Sequence, residues 1–326
     1  MTEQLLLDPT RKPSAAGVER AAGKVADILP KTPLLPLTVD GKTIWCKAES
    51  LQPIGAFKIR GGWHRLTDLS EEQRKCGVVA FSSGNHAQGV AWAAHRLGVR
   101  ATIIMPADAP LAKLENTKKL GAEVITYDRL ADSREELAAE MAGESGAVVV
   151  PSFDDPWIIE GQGSTGVEIR EQMIAQAGGP PDHLVACCGG GGLASGISLV
   201  NPEADLTVVE PEGWDDMKRS LEGGRIVPVQ ENPPPTECDA LQTLLVSPLT
   251  FDVLKARNAN AVFVTKAEVH HAMRVAFKKL RLVVEPGGAV ALAAILSGKA
   301  PVTDRTAITI SGGNVDPERF ARIIGA

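Results

Sequence analysis

The stretch that decides the fold class reads LVACCGGGGLASG and spans residues 184–196. Its first part, Leu184–Cys188, is an apolar run with the length of a strand buried on both faces of a sheet. Four consecutive glycines, Gly189–Gly192, follow at once and lead into a helical pattern. Glycine backbone N–H groups can close around an anion, and a helix N-terminus adds partial positive charge there. The stretch therefore predicts a strand–turn–helix unit of an α/β protein with a phosphate held at the turn.

Short apolar and β-branched runs alternate with longer helical patterns on both sides of this unit. The predicted strands are Thr43–Ala48, Val78–Ser82, Ala101–Met105, Glu123–Tyr127, Ala147–Val150, Leu184–Cys188, Leu206–Glu210, Ala261–Thr265 and Thr306–Ile310. The predicted helices include Gln88–Leu97, Ala112–Leu120 and Lys266–Leu280. Alternating strands and helices of this kind indicate an α/β fold with mainly parallel strands and helices on both faces of the sheet.

A regular spacing of strands marks off one part of the chain. Four strands follow one another at intervals of 23, 22 and 24 residues, starting at Val78, Ala101, Glu123 and Ala147. Each interval is the length of one βα unit, so residues 75–149 are predicted to form a small domain of their own. Residues 1–74 and 150–326 would form the large domain. Glycine and proline make residues 54–62 and 151–163 the expected hinges, and residues 228–235 an expected surface loop.

The composition excludes several classes of function. The chain has 326 residues, of which 44% are hydrophobic, and this is enough for a large core. Acidic residues (40) outnumber Lys and Arg (34), and a net charge of −6 argues against binding the phosphate backbone of nucleic acids. No apolar run approaches the ~20 residues of a membrane span, and residues 1–12 lack the pattern of a secretory signal. Five cysteines without a CxxC pair predict free thiols and a cytoplasmic location.

Three further segments combine glycine with polar or charged groups. Ser82–Gly89 follows a predicted strand and opens a helix, where small polar groups can hold a carboxylate. Lys58 lies between Phe57 and Ile59, and an apolar setting would lower the pKa of its amine and make it a nucleophile toward carbonyls. Ser311–Asn314 follows the last predicted strand and also fits a plain turn. In open α/β sheets, ligands bind at the carboxyl edge where such turns lie.

The tetraglycine segment by itself leaves two classes of ligand open. Gly189, Gly191 and Ala194 fit a loose dinucleotide fingerprint, and Glu210 ends the next strand about 20 residues on, as a ribose contact would. The spacing alone therefore does not exclude an NAD-dependent oxidoreductase, and the choice depends on the other segments.

Taken in order, the four segments resemble the motifs of the fold-type II pyridoxal-phosphate enzymes, in the branch of the threonine/serine dehydratases and serine racemases. The family order is G-S-F-K-x-R-G, S-S-G-N-H-x-Q, G-G-G-G-L and S-G-G-N. The matching segments here are Gly55–Gly61, Ser82–Gln88, Gly189–Leu193 and Ser311–Asn314, with further matches at Gly161–Gly163 and Glu285–Ala289. The resemblance implies a tryptophan synthase β-like fold with two open, twisted, mainly parallel sheets. It also moves the expected cofactor from NAD to pyridoxal 5′-phosphate (PLP).

The resemblance implies a role for each segment. Lys58 would hold the cofactor covalently and then act as the base at the substrate Cα, while Ser83 would lie on the opposite face of the ring. The implied cofactor contacts are Phe57, Lys58, Asn85, Gly189, Gly190, Gly191, Gly192, Leu193, Glu285, Ser311 and Gly312. The implied substrate contacts are Ser82, Ser83, Gly84, Asn85, His86 and Arg134. The large domain would bind the cofactor, and the small domain would close over the substrate.

A second ligand is implied by residues 210–216, which resemble the divalent-cation loop of serine racemase-like members. The ligands would be the carboxylates of Glu210 and Asp216 and the carbonyl of Trp214. Oxygen ligands of this kind suit Mg²⁺ or Ca²⁺. The alternative is an acidic surface loop without a metal.

The implied activity is elimination of water from a β-hydroxy amino acid, L-threonine or L-serine, which yields a 2-oxo acid and ammonia. Alternatives are a serine racemase, a 3-hydroxyaspartate dehydratase and, more remotely, an NAD-dependent oxidoreductase or a non-catalytic amino-acid-binding regulator. The family resemblance also implies a homodimer. Ile54, Ala56 and Ala240 depart from the Thr, Ser and Gly of the family pattern, and the first two leave the substrate preference open.

Overall fold

The computed structural model describes residues 11–82, 84–109, 111–128 and 131–326, with the backbone alone at 112 and 113. Its strands are β1 (Leu34–Val39), β2 (Lys42–Ala48), β3 (Val78–Phe81), β4 (Ala101–Pro106), β5 (Glu123–Tyr127), β6 (Val148–Val149), β7 (His183–Cys187), β8 (Asp205–Pro211), β9 (Asn260–Val264) and β10 (Thr306–Ile310). They form a six-stranded sheet in the order β1-β2-β10-β7-β8-β9 and a four-stranded sheet in the order β5-β4-β3-β6. Every pair is parallel except β1 with β2.

The helices cover the faces of the two sheets, as the sequence predicts. They are α1 (Ala15–Ala26), α2 (Lys58–Thr67), α3 (Glu71–Cys76), α4 (Asn85–Leu97), α5 (Leu111–Lys119), α6 (Arg134–Ser145), α7 (Pro156–Ala177), α8 (Gly192–Leu199), α9 (Asp216–Gly223), α10 (Pro248–Ala256), α11 (Lys266–Val275), α12 (Pro286–Leu296) and α13 (Pro317–Gly325). A π-helical turn, Ala276–Leu280, extends α11 to the predicted end of that helix. None of the described helices is both long enough and apolar enough to cross a membrane.

All nine predicted strands are present, with ends that differ by one residue at most. The strand that the sequence does not predict is β1, which contains Pro36. Proline lacks the N–H that a central strand needs and therefore argues against a strand in sequence. Here β1 lies at the edge of the six-stranded sheet and pairs only with β2, so the proline is tolerated.

Helices occupy much of both predicted hinges. Helix α2 begins at Lys58, inside the first predicted hinge, and α7 begins at Pro156, inside the second. Gly163 lies within α7, and this position is a glycine because the helix packs closely against α8 there. A Cβ on Gly163 would lie 2.7 Å from the carbonyl of Gly196, and one on Gly196 would lie 2.3 Å from the Ile159 oxygen. These glycines serve close helix packing.

The four-stranded sheet shares its hydrophobic core with the N-terminal helices. Val78 and Ile103 of the sheet belong to one buried cluster with Ile59 and Leu66 of α2. Helix α2 also packs against α4, since a Cβ on Gly62 would lie only 2.7 Å from the carbonyl oxygen of the facing α4 backbone. The strands of this sheet run from Val78 to Val149, and the predicted division into two domains stays a prediction. The hydrophobic core continues beyond this sheet, because α2 packs against both α4 and α7.

Candidate active site

A cavity of about 530 Å³ opens between the two sheets, beyond the carboxyl ends of their strands. It brings together nearly all the described residues that the sequence assigns to cofactor and substrate. Those that line it are Phe57, Lys58, Ser82, Gly84, Asn85, His86, Arg134, Gly189, Gly190, Gly191, Gly192, Leu193, Glu285 and Ser311. Gly312 does not line the cavity and lies just behind Glu285. Ser83, the predicted second proton carrier, lies outside the described residues.

Lys58 is the first residue of α2, and its amine faces the cavity. The amine donates a hydrogen bond to the carbonyl oxygen of Ser152, at 2.7 Å. Desolvation by the surrounding protein lowers the pKa of the Lys58 amine from 10.5 to about 8, and nearby Cys187 opposes this shift only weakly. A larger fraction of the amine is therefore neutral near physiological pH than for an ordinary lysine, as a nucleophile toward an aldehyde requires.

This pKa predicts how fast the cofactor-free protein captures PLP at different pH. Only the neutral amine reacts, so the rate of covalent attachment should rise with pH up to about 8 and level off above it. Stopped-flow absorbance after mixing with PLP, from about pH 6 to about pH 10, measures this rate. N-acetyl-lysine is the control, and its rate should keep rising over the whole range. A protein profile without a plateau would contradict the lowered pKa.

The tetraglycine turn joins β7 to α8 and is shaped for an anion. Gly191 has φ +85°, a conformation that side chains rarely adopt. A Cβ on Gly190 would lie 2.2 Å from the ring of Phe153, so this position also requires glycine. The turn ends at the N-terminus of α8, where unpaired backbone N–H groups favour negative charge. These features fit the phosphate of PLP.

Asn85 connects the two sides of the cavity. Its amide nitrogen donates to Glu285 Oε1 at 2.6 Å, and its amide oxygen accepts from Asn314 Nδ2 at 2.7 Å. Asn314 also donates to the carbonyl of Ile54, at 2.8 Å. The sequence places Asn314 in a motif without giving it a role, and only the fold shows that it orients Asn85.

Ser311 follows β10 and presents its hydroxyl to the cavity. The thiol of Cys187 donates a hydrogen bond to this hydroxyl, with a sulfur–oxygen distance of 3.2 Å. Burial raises the pKa of the Cys187 thiol, so the sulfur keeps its proton. The sequence assigns Cys187 to the core, and its part in the site was missed. The available signal is its place at the end of β7, with only Cys188 between it and the glycine turn.

His86 stays neutral in the site. Burial, together with the nearby Lys58 charge, lowers the pKa of its imidazole to about 3. Its Nε2 lies 2.8 Å from the carbonyl oxygen of Val150, which can only accept, so Nε2 carries the proton. The predicted contact of His86 with a substrate carboxylate stays a prediction, and a neutral ring would make it without an ion pair.

Arg134 brings a positive charge to the cavity from the first turn of α6. Its guanidinium lies 5.5 Å from the ring of Phe81 and pairs with Glu135 at 2.9 Å. Both partners are substantially exposed, so this ion pair is weak and exchangeable. Lys58 and Arg134 are the only lysine or arginine that line the described part of the cavity.

The predicted metal residues lie outside the cavity, at the end of β8. Glu210 is buried, and its two carboxylate oxygens accept from the backbone N–H groups of Met217 and Lys218, at 2.9 and 2.8 Å. Burial raises the pKa of Asp216 to about 7, and neither of its buried oxygens accepts a well-formed hydrogen bond within the described chain. Three His, Cys, Asp or Glu side chains do not converge as a metal site anywhere in the described ranges.

A lysine amine of lowered pKa and a glycine turn shaped for phosphate, in one cavity, define a class of enzymes that bind a phosphorylated aldehyde cofactor. Comparison with known families agrees, since the model of the family described as "Pyridoxal-phosphate dependent enzyme" matches residues 25–312. The chain belongs to this family of fold-type II PLP enzymes. This family match replaces the alternative of a dinucleotide site.

Similar proteins cover almost the whole chain. An L-threo-3-hydroxyaspartate ammonia-lyase of Pseudomonas sp is 39% identical over 94% of this chain and 97% of its own length. A serine racemase of Schizosaccharomyces pombe is 38% identical over 99% of both chains. The crystal structure of a threonine deaminase from T.th. is 39% identical and superimposes with a TM-score of 0.86, over 93% of this chain and 99% of that one.

Proposed function

We propose that this enzyme eliminates water from a small β-hydroxy amino acid, with L-threonine or L-serine as the first candidates, and releases a 2-oxo acid and ammonia. The observation that carries the proposal is that the Lys58 amine and the neutral Ser311 hydroxyl line the same cavity. When bound, PLP supplies the electron sink for a carbanion at Cα. The similarity to a threonine deaminase supports the same reaction class.

Side chains and backbone groups of the cavity have separate roles in the proposed reaction. Lys58 holds the cofactor and, as a free amine, takes the proton from the substrate Cα. The backbone N–H groups at the start of α4 bind the substrate carboxylate, aided by the helix N-terminus. Ser311 would face the ring nitrogen of the cofactor with a neutral hydroxyl, whereas a carboxylate would keep that nitrogen protonated and make the electron sink stronger. The weaker sink favours prompt loss of the β-hydroxyl, which leaves as water with one proton, and this balances the proton that Lys58 takes from Cα. The released enamine hydrolyses to the 2-oxo acid and ammonia.

A second candidate is the elimination of water from 3-hydroxyaspartate, and Arg134 favours it. The Arg134 guanidinium lines the cavity and pairs there with the exposed Glu135 carboxylate. It can exchange this weak partner for the second carboxylate of the substrate. The similarity to an L-threo-3-hydroxyaspartate ammonia-lyase also supports this substrate. Serine racemisation stays a third candidate, with Lys58 and Ser83 as the proton carriers on opposite faces of Cα.

A substrate panel separates these activities. L-threonine, L-serine, D-serine and L-threo-3-hydroxyaspartate are each assayed for 2-oxo acid and for the inverted amino acid. We expect oxo acid from L-threonine and L-serine. A strong preference for hydroxyaspartate that is lost in Arg134→Gln would replace the first candidate by the second. Arg96→Gln is the matched control, because Arg96 stacks on Trp92 in the same way but lies outside the cavity.

We also propose that a divalent cation, Mg²⁺ first, binds at the end of β8. The buried carboxyl groups of Glu210 and Asp216 support this, because burial raises the pKa of both, and a cation that displaced their protons would compensate the buried charge. The carbonyl of Trp214 would complete the oxygen ligands of the protein, and waters would fill the remaining positions.

Adding Mg²⁺ to the chelator-treated protein should release or absorb measurable heat and raise the melting temperature. A cation at 100 times its dissociation constant stabilises the fold by about 2.7 kcal/mol. Asp216→Asn should abolish both effects. Glu212→Gln is the control, because Glu212 is an exposed carboxylate of the same loop. No heat and no thermal shift in the parent protein would remove the proposed metal.

The proposed assembly is a homodimer, and the proposed location is the cytoplasm. Large apolar side chains remain exposed at Leu51 (52%) and Val283 (48%), and Ser50, next to Leu51, and the Val283 carbonyl both lie close to Gly313. Such a patch suits a surface that a second copy covers. The five free cysteines suit a reducing compartment. Sedimentation velocity of the parent protein and of Val283→Glu tests the dimer, and a monomeric parent protein would exclude it.

A further inference from the structure

The carbonyl oxygen of Ser152 receives two donors at the back of the cavity. Lys58 Nζ lies 2.7 Å from it, and the side-chain nitrogen of Gln162 lies 3.1 Å from it. A carbonyl oxygen has two lone pairs and accepts both bonds at once. Ser152 belongs to the irregular segment between β6 and α7, so its own backbone does not fix it in a sheet or a helix.

Gln162 fixes this carbonyl from a rigid position. It lies in the first half of the long helix α7 and is completely buried. It contacts α2 one turn after Lys58 begins that helix, since a Cβ on Gly61 would lie 3.2 Å from Gln162 Cγ. Its amide oxygen would lie 2.6 Å from a Cβ on Gly192, so the same side chain backs the glycine turn.

The orientation of the Gln162 amide is set by these neighbours. The NH₂ group faces the Ser152 carbonyl, and the opposite orientation would place two oxygens against each other. The amide oxygen has no hydrogen-bond partner among the described residues, so the bond to Ser152 is the one that holds the side chain. Gln162 lies in the G-Q-G segment of the sequence, to which no role was assigned.

We propose that Gln162 is a positioning residue for Lys58, and that it acts by holding the Ser152 carbonyl as the acceptor for the lysine amine whenever that amine is not bonded to the cofactor. The proposal deepens the proposed function and rests on it. A neutral amine that donates one hydrogen to Ser152 keeps its lone pair free to turn toward the cavity. Without Gln162 the carbonyl would shift, and the amine would lose its fixed starting position for attack on the cofactor and on the substrate proton.

The test uses Gln162→Met, which keeps the length of the side chain and removes the donor. The cofactor-free protein is mixed with PLP, and the rate of covalent attachment at Lys58 is followed by absorbance. Binding of 4′-deoxypyridoxine phosphate, which has no aldehyde, is measured by calorimetry. We expect attachment to slow by about tenfold or more, because misplacing a reacting group by an ångström is costly. The affinity for the analogue should change less than about threefold, since the phosphate turn remains.

The control is Thr165→Val, which replaces a buried polar residue of the same helix by one of the same shape. It should leave both quantities unchanged within about twofold. Should Gln162→Met fail to fold, Gln162→Leu also lacks the donor and should show the same slow attachment. Unchanged attachment would overturn the proposal, and so would an equal loss of analogue affinity, which would mean that Gln162 shapes only the phosphate turn. Failure of the parent protein to attach PLP at Lys58 would instead overturn the proposed function.

Discussion

Lys58→Ala should lower turnover by about 10⁴-fold and abolish covalent attachment of PLP. The substitution removes both the proposed nucleophile that holds the cofactor and the proposed base at Cα, and a positioned base alone contributes up to about 10⁴-fold. Burial in the cavity lowers the pKa of this amine to about 8, and the amine donates a hydrogen bond to the Ser152 carbonyl. Steady-state assays with L-threonine and L-serine measure the loss of turnover.

Covalent attachment is checked independently of activity. Borohydride reduction of the PLP-loaded parent protein should leave the cofactor on the peptide that contains Lys58, as identified by mass spectrometry. Lys299→Ala is the matched control, because Lys299 is also partly buried but bonds to Glu268 and the Phe263 carbonyl, outside the cavity. Turnover by Lys58→Ala at the parent rate, or cofactor fixed to another lysine, would contradict the assignment.

Arg60→Met should destabilise the fold by about 3–5 kcal/mol, the largest loss of stability that we expect from one substitution. The Arg60 guanidinium is fully buried and bonds to both oxygens of Glu49, at 2.7 and 2.8 Å. It also bonds to both oxygens of Glu168, at 2.8 and 2.9 Å. Removal of Arg60 leaves these two carboxylates with Lys47 as the remaining cation of the cluster.

The cost arises from the buried charge that loses its partner. Burial alone would raise the pKa of Glu49, yet the neighbouring Arg60 charge holds it below its ordinary value. Urea unfolding of the cofactor-free protein measures the loss. Lys31→Ala is the control, because the Lys31–Glu171 pair is exposed and worth at most about 1 kcal/mol. A loss for Arg60→Met as small as that of the control would show that the cluster does not stabilise the fold.

The Arg60 cluster also explains why Lys58 is well placed. Arg60 lies two residues after Lys58 and ties the first turn of α2 to Glu168 on α7. Gln162 on the same helix reaches the Ser152 carbonyl. Helix α7 therefore supports Lys58 twice, once through the start of α2 and once through the acceptor of its amine. In sequence Lys58 and α7 are about a hundred residues apart, and no local pattern reports their contact.

Local patterns were enough for the strands and for the order of the site motifs. The buried parallel strands are continuous apolar runs such as β4 and β7, and these are visible in sequence because both faces of such a strand are covered. The edge strand β1 was missed, since Pro36 is acceptable only where one side of the strand is unpaired. Whether a strand lies at an edge is a property of the sheet as a whole.

The sequence by itself determined the class of fold and the order of the site motifs, and it singled out Lys58 as the proposed reacting amine. Each of these depends on a short segment in which glycine, apolar and polar residues affect residues close to them in sequence. Only the tertiary structure decided that Cys187 bonds to Ser311, that Asn314 orients Asn85 and that Gln162 reaches the Ser152 carbonyl. It also showed that Gly163 of α7 packs closely against Gly196 of α8. Each of these contacts joins residues from different elements, and their spacing along the chain carries no information about the distance between them in space.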